Sequence, residues 1–258
     1  MIDVTLIDHM GTDLSVVNAA RVSFNKTSSW AYGDWRDSDD YSRKKELSNG
    51  DTKLIYYLAE HGHTSPFGHA FASFHVKAPV FVARQLVKHK FLRWNEISRR
   101  YVDTEPEFYK PELREATKDK KQGSGVPMFM GGYNSTLDGV IQQSGIEAGK
   151  QYKYLLKMGV CEEQARMVLP LNHMTEWYWS GSLDAFADMC NLRLMTDTQY
   201  ETQLVAQQID QIMLGLFPVS WEALVYGDDE ADPHYIRPMT HEERQRSKER
   251  EAINHVHR

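Results

Sequence analysis

One short segment changes its hydrophobic period and thereby limits the folds that are available to the chain. Residues 69–76, HAFASFHV, place Phe71 on one face and Phe74 on the other, as a β-strand does. Pro79 follows at a position where a helix can begin, and the helical pattern VFVARQLVKHKF comes after it. A strand that continues directly into a helix predicts a fold that contains both types of element.

Other parts of the chain predict further strands and helices. Residues 2–8 alternate as a strand does, and residues 13–23 predict a short helix that Asp13 opens. From Asp51 the apolar spacing is helical, and Gly62 is placed as its stop. Later predictions are a helix over 146–169, an aromatic-rich segment over 171–180, and a long helix over 183–216 that Ser182 caps and that ends before Pro218.

These elements favour one α+β domain over residues 1–258, with a small sheet flanked by long helices. The charge-dense stretch 34–51 is typical of a loop or a solvated helix. Residues 105–135 contain prolines, a lysine cluster and GSG, which indicate a long polar surface insertion. The polar tail over about 241–258 predicts a solvated or frayed helix.

Composition and charge narrow the class of protein. No apolar run approaches the roughly 18 residues of a membrane span, so we expect no membrane partner, and the first residues lack the pattern of a signal peptide. Two cysteines, Cys161 and Cys190, are too few for a disulfide framework, which favours a cytoplasmic location. Their apolar neighbours predict buried structural thiols. With a net charge of −6, any anion site needs a local concentration of cations.

Such a concentration lies in residues 84–101, RQLVKHKFLRWNEISRRY, together with glutamine, glutamate and serine. Arg84 and Lys88 share a helical face, whereas the helical period is lost after Trp94. Cations suit a phosphate and the other polar groups suit a ring or a sugar, so the segment indicates a nucleotide site. A solvated basic helix face and a nucleic-acid surface, with bases stacked on Trp94 or Tyr101, are the alternatives; the net charge argues against the nucleic acid.

Several motifs in this order resemble the flavin-dependent thymidylate synthases. KHK, seven residues and Ser98 are similar to the arginine-histidine-arginine motif that precedes a serine in that family. Further similar blocks are NAARVSF (18–24), HGHTSPFGH (61–69), EQARMVLP (163–170) and LRLMTDTQYE (192–201). Together they cover most of the chain.

The resemblance implies a reaction and a set of co-substrates. Methylenetetrahydrofolate donates a carbon to C5 of dUMP, FAD supplies the hydride, NADPH reduces the flavin again, and dTMP is formed. It also implies that FAD binds across the subunit contacts of a homotetramer. No catalytic cysteine is needed, because a guanidinium beside the uracil favours the anionic ring.

The same resemblance implies the site residues. Arg193 is the catalytic residue. The residues at dUMP are Gln85, Lys88, Glu96, Ser98, Arg99, Arg100, Arg166 and Arg193. The residues at FAD are His63, Ser65, Lys88, His89, Lys90, Glu96, Ser182, Asp184 and Asp188.

Some residues depart from the family pattern, and most of them lie on the flavin side. Lysine at 88 and 90 keeps the charge of the usual arginine but loses its planar two-point fork. The other departures are Gly68 for glutamate, Ser182, Asp184 and Asp188 for asparagine, arginine and asparagine, and Asp197 for histidine. We therefore expect a kept nucleotide site and an FAD that is held differently.

Two alternatives remain open at the level of sequence. His61, His63 and His69 can be structural residues, metal ligands or part of a flavin-site loop, and we predict the flavin loop and no metal. The chain can also be a nucleotide- or single-strand-binding protein of the same fold that has lost the redox chemistry.

Overall fold

The computed structural model of the chain describes residues 1–32, 45–117, 123–128 and 134–227. The strands are β1 (Asp3–Met10), β2 (Ala31–Tyr32), β3 (Lys45–Glu46), β4 (Phe71–Pro79), β5 (Arg93–Glu96) and β6 (Met174–Ser182). The helices are α1 (Asp13–Arg21), α2 (Asn49–Glu60), α3 (Val80–Leu86), α4 (Asn134–Lys157), α5 (Glu162–Ala165), α6 (Leu183–Arg193), α7 (Tyr200–Leu216) and α8 (Pro218–Trp221). A π-helical turn, Glu222–Tyr226, follows α8.

An antiparallel sheet with the strand order β1, β4, β6, β5 forms the centre of the fold. The alternation in β4 buries Phe74 and Val76 on one face, while His75 is half-exposed on the other. Phe74 packs edge-on against Phe186 of α6, with the ring centroids 5.1 Å apart. The core therefore lies between this face of the sheet and the helices, and the predicted α+β class is confirmed.

Most of the predicted element positions agree with the structure. The strand at 2–8 is β1, and the helix at 13–23 is α1, with Thr12 rather than Asp13 as its N-cap. Helix α2 begins two residues before the sequence predicts, because the Ser48 hydroxyl accepts the backbone N–H of Asp51. Gly62 ends this segment with φ +65°, a conformation that favours glycine.

The helix after Pro79 is shorter than predicted. It ends at Leu86, so Lys88 lies in a turn and does not share a helical face with Arg84. The irregular conformation predicted after Trp94 is also wrong, since residues 93–96 form the edge strand β5. Pairing with β6 satisfies the backbone of β5, and Trp94 stacks on Trp177 of β6 at a centroid distance of 4.4 Å.

The single long helix predicted over 183–216 is two helices, α6 and α7. Between them the Thr198 hydroxyl donates to the carbonyl oxygen of Leu192 at 3.0 Å. The Gln203 amide donates to the carbonyl oxygens of Met195 and Thr198 at 2.9 and 3.0 Å. These side chains satisfy carbonyls that a continuous helix would have paired internally, so the chain turns here.

The helix predicted over 146–169 is displaced. Helix α4 ends at Lys157, and Gly159 with φ +85° separates it from the short α5. Cys190 is buried as predicted, whereas Cys161 is exposed just before α5, so its prediction as a buried thiol is wrong.

The described part of the predicted insertion, residues 105–117 and 123–128, packs against the domain. The Tyr109 N–H donates to the carbonyl of Asn172 at 2.8 Å, and Pro106 is buried. These residues of the predicted surface insertion therefore contact the rest of the domain. Of the stretch 34–51, predicted as a loop or a solvated helix, residues 34–44 lie outside the described residues, as does the tail over 241–258. Within its described part, residues 45–46 form β3 and α2 begins at Asn49.

Candidate functional site

The cationic segment and the end of α6 meet at the edge of the sheet. Helix α3 follows β4 directly, so the turn at residues 87–92 is held between α3 and β5. Arg193 is the last residue of α6, and its Nε donates to Nε2 of His89 in that turn at 2.9 Å. The structure thus joins two sequence-predicted site residues that are 104 positions apart in the chain.

This contact fixes the protonation state of His89. Burial, together with the charge of Arg193, lowers the pKa of His89 to about 4, so the imidazole is neutral near pH 7. Because the guanidinium can only donate, Nε2 accepts and the ring proton is on Nδ1. Partial burial also lowers the pKa of Arg193, which stays far above neutral pH. A half-buried guanidinium is therefore held by an uncharged partner and keeps its full positive charge.

Gln85 lies in the last turn of α3 and faces α7. Its amide nitrogen donates to the side-chain oxygen of Gln199, just before α7. Its amide oxygen accepts the Thr202 hydroxyl at 3.3 Å. Both ends of this amide are thus oriented by the protein.

Glu96 lies on β5 and is held by its neighbours. The Thr175 hydroxyl donates to one carboxylate oxygen at 2.7 Å, and the Trp94 indole N–H donates to the other at 3.2 Å. Nearby, burial and the charge of Arg99 lower the pKa of His173, although the Glu96 carboxylate opposes the shift. His173 is thus a further polar group at this position, which the sequence did not indicate.

Ser98, Arg99 and Arg100 follow β5 directly. The Ser98 hydroxyl oxygen accepts both the backbone N–H and the Nε of Arg100, at 3.3 and 3.4 Å. Arg99 donates to the carbonyl of Thr104. This turn presents a serine and two guanidinium groups close together, a combination that suits a phosphate.

Three predicted cations are not linked to the others by hydrogen bonds within the described part of the chain. Lys88 and Lys90 are exposed. Arg166 is also exposed, and its Nε donates to the carbonyl of Glu163 in its own turn at 3.3 Å. These side chains keep donors that a bound anion can use.

The predicted FAD residues outside the cationic segment 84–101 occupy two places. His63 and Ser65 are exposed in the loop after α2, where the His63 ring lies near those of Tyr57 and His61, with centroids 6.2 and 6.4 Å apart. The others lie at the start of α6, where Ser182 is the N-cap residue. The structure shows no hydrogen bond between the two groups among the described residues.

An acidic pair stands at the start of α6. Asp184 has one buried carboxylate oxygen without a hydrogen-bond partner among the described residues. Partial burial and the charge of Asp184 raise the pKa of Asp188, one turn later. In the described ranges, no group of three or more His, Cys, Asp or Glu residues is placed to hold a metal ion. No described helix is long and apolar enough to cross a membrane.

Comparison with known proteins identifies the family. A family model described as thymidylate synthase complementing protein matches residues 5–219. A flavin-dependent thymidylate synthase of Kosmotoga olearia is 37% identical over 225 residues, which cover 86% of this chain and 89% of that protein. The chain belongs to the flavin-dependent thymidylate synthase family. The resemblance that the motifs indicate is thereby confirmed.

Further relatives agree with this family. The flavin-dependent thymidylate synthase of Thermus thermophilus is 39% identical over 85% of this chain and 74% of that protein. The crystal structure of a UMP/dUMP methylase from Streptomyces cacaoi, bound with 5-Br dUMP, is 29% identical with a TM-score of 0.70 and covers 86% of this chain and 94% of that one. As a flavin-dependent thymidylate synthase, the chain is a methyltransferase that forms dTMP from dUMP and uses FAD, as the motifs predict.

Proposed function

We propose that the turn after α3, the residues that follow β5 and the end of α6 form the dUMP site in which this chain methylates C5 of dUMP. The observation that carries this assignment is the hydrogen bond from Arg193 to His89. It brings Arg193, the catalytic candidate, into contact with His89 of the cationic segment. Because Arg193 is half-buried there, its charge acts strongly on a neighbouring ring.

Arg193 favours the electron-rich form of uracil. Its charge beside the N3 and O4 side of the ring lowers the pKa of N3, and the resulting anionic character makes C5 a better nucleophile towards a methylene carbon. His89 is neutral and accepts a hydrogen bond from Arg193, so it orients the guanidinium without neutralising its positive charge. The other guanidinium nitrogens of Arg193 remain available for the substrate.

The 5′-phosphate is bound by the turn after β5. Ser98, Arg99 and Arg100 lie together there, and Arg166 adds a further exposed guanidinium. Arginine binds phosphate through two parallel hydrogen bonds, which fixes position as well as charge. Glu96, held by Thr175 and Trp94, supplies a fixed acceptor for the nucleoside.

The residues on the flavin side fit FAD in part. Lys88 and Lys90 are exposed cations that suit its diphosphate, and His63 and Ser65 offer a ring and a hydroxyl. Asp184 and Asp188 are anionic and oppose the phosphates, so we expect weaker FAD binding than in relatives with a cation there. When bound, FAD supplies the hydride that completes the methyl group.

We further propose methylenetetrahydrofolate as the carbon donor, NADPH as the reductant, a single domain and a cytoplasmic homotetramer. Several large apolar side chains are highly exposed in the single chain, which supports contacts between subunits. They are Phe91 at 84%, Tyr101 and Met167 at 77%, and Phe24 at 76% exposed.

The assignment is tested by tritium release from C5-labelled dUMP, with FAD, NADPH and methylenetetrahydrofolate each omitted in turn. We expect release that requires both the flavin and the folate. No release from protein that binds dUMP would contradict the function and favour the binding-protein alternative, which the comparisons do not favour.

The same assay with labelled UMP tests the nucleotide. The Streptomyces cacaoi relative is named a UMP/dUMP methylase, whereas the Kosmotoga olearia and Thermus thermophilus relatives are named thymidylate synthases. Because the latter are more similar in sequence, we propose dUMP as the preferred substrate. Equal release from UMP would contradict this preference.

A further inference from the structure

Arg114 lies in the segment between β5 and α4, for which the sequence offers no motif. Its side chain is only 12% exposed, yet it makes three directed contacts. Its Nη2 donates to Oε1 of Glu201 at 2.7 Å, its Nε donates to Ser124 at 2.7 Å, and its guanidinium lies 4.2 Å from the ring centroid of Tyr200. The Glu201 side chain is 4% exposed, and a carboxylate buried so deeply needs a charged partner.

Glu201 connects this ion pair to Gln85. The second carboxylate oxygen of Glu201 accepts the amide nitrogen of Gln199 at 3.2 Å. The amide oxygen of Gln199 in turn accepts the amide nitrogen of Gln85, and the Thr202 hydroxyl donates to the amide oxygen of Gln85 at 3.3 Å. A continuous chain of hydrogen bonds therefore runs from Arg114 to a residue of the dUMP site.

The donors and acceptors in this series of hydrogen bonds have only one possible order, because the Glu201 carboxylate can only accept. The Gln199 amide must turn its nitrogen towards Glu201, which leaves its oxygen towards Gln85. Gln85 must then present its nitrogen to Gln199 and its oxygen to Thr202. One N–H and one lone pair of Gln85 are left, and their positions are set by charges that lie outside the site.

We propose that Arg114 and Glu201 are positioning residues that fix the amide orientation of Gln85 and thereby set the affinity for dUMP. This inference rests on the proposed function of Gln85 as a dUMP contact. Arg114 holds the carboxylate of Glu201 in place, and the Glu201 carboxylate in turn orients the amide of Gln199. Arg114 thus contributes to nucleotide binding through Glu201, Gln199 and Gln85.

Glu201→Gln is the sharpest test because it changes the polarity at nearly constant shape. A neutral amide at 201 can donate as well as accept, so Gln199 and Gln85 lose their fixed orientation. We expect the KM and Kd for dUMP to rise about tenfold while kcat stays within about twofold and the Kd for FAD is unchanged. Glu105→Gln is the matched control, since it removes an exposed ion pair with Lys153 from the same segment. Glu105→Gln should leave both the KM and the Kd for dUMP unchanged.

Arg114→Lys is the second variant, and it keeps the protein testable should Glu201→Gln not fold. Lysine retains the charge that Glu201 needs but loses the guanidinium fork that also reaches Ser124. We expect a rise of about threefold in the KM for dUMP, which is smaller than that of Glu201→Gln, because lysine keeps a positive charge beside the carboxylate of Glu201.

A double-mutant cycle separates positioning from general stability. Gln85→Ala should raise the Kd for dUMP, and adding Glu201→Gln to it should cause little further loss, because Glu201 acts through Gln85. Additive losses, or no effect of Glu201→Gln beside a clear effect of Gln85→Ala, would overturn the positioning role and leave the proposed function intact. An unchanged Kd for dUMP in Gln85→Ala would instead remove Gln85 from the dUMP site.

Discussion

The two sides of the candidate site differ in how far the protein alone has organised them. On the nucleotide side, Arg193, Gln85 and Glu96 are each held by hydrogen bonds from other elements. On the flavin side, Ser65 and Lys90 are exposed and their side chains have no such bonds among the described residues. A site organised before binding loses less entropy on binding, so the structure favours a well-defined dUMP site and a less organised FAD site.

The acidic pair Asp184 and Asp188 adds to this difference between the two sides. Asp184 and Asp188 lie on one face of α6, one helical turn apart, and the raised pKa of Asp188 shows that its charge is disfavoured there. The family resemblance predicts arginine and asparagine at these two positions, whereas Arg193 at the other end of the same helix matches the family motif.

The largest expected effect comes from Arg193→Ala. Turnover should fall by about a thousandfold or more, because the charge that favours the anionic uracil is lost. FAD should stay bound, since Arg193 is not among the predicted FAD contacts. Tritium release and flavin absorbance of the purified variant measure the two properties. Loss of the flavin would contradict the assignment of Arg193 to the nucleotide side.

A smaller loss is expected from Ser98→Ala. The hydroxyl accepts from Arg100 and binds the substrate in our account, so its removal should raise the KM for dUMP about five- to tenfold. Steady-state kinetics at low dUMP give the value. Ser73→Ala, which removes a hydroxyl paired with Ser180 in the sheet, is the control and should leave the KM unchanged. Full activity of Ser98→Ala at low dUMP would remove Ser98 from the site.

Asp184→Asn should strengthen binding rather than weaken it, and the ligand affected is FAD. Removing one negative charge near the diphosphate should tighten FAD binding about threefold. Quenching of FAD fluorescence gives the Kd, and Asp8→Asn on β1 serves as a control for a general change in net charge. Weaker FAD binding by Asp184→Asn would show that the carboxylate is an FAD contact and would reverse our interpretation of the acidic pair.

The smallest expected effect is on the pH dependence of stability. His89 has a pKa of about 4 in the folded chain against 6.5 for an ordinary histidine, so the unfolded chain binds more protons between these values. Stability should therefore fall as the pH falls from about 6.5 to about 4, and the contribution is complete above that range. His89→Gln keeps an acceptor for Arg193 and should flatten this part of a plot of Tm against pH. An unchanged slope would show that His89 titrates normally.

Local patterns predict much of this fold. The alternation at 69–76 and the position of Pro79 locate β4 and the start of α3, because both signals depend on neighbouring residues. Strand β5 escapes prediction because its four residues are defined by pairing with β6, which lies 80 residues away in the chain. The break between α6 and α7 likewise depends on side chains that bind nearby carbonyls, and these residue types also occur within helices.

The candidate site is likewise predictable from the sequence only in part. The motifs name Arg193 and His89, but their contact follows from the tertiary fold and cannot be derived from either motif. Gln199 and Glu201 stand within the quoted block LRLMTDTQYE, so the resemblance marks their region without giving a role. Arg114 has no motif around it, and only its burial beside Glu201 indicates that it matters.

Titration of FAD-free and FAD-loaded protein with dUMP, followed by calorimetry, tests the difference between the two sides most directly. Because the protein itself orients Arg193, Gln85 and Glu96, we expect dUMP to bind both forms with Kd values within about threefold of each other. Binding of dUMP only after FAD is loaded would contradict the account, since it would show that the flavin and not the polypeptide organises the nucleotide site.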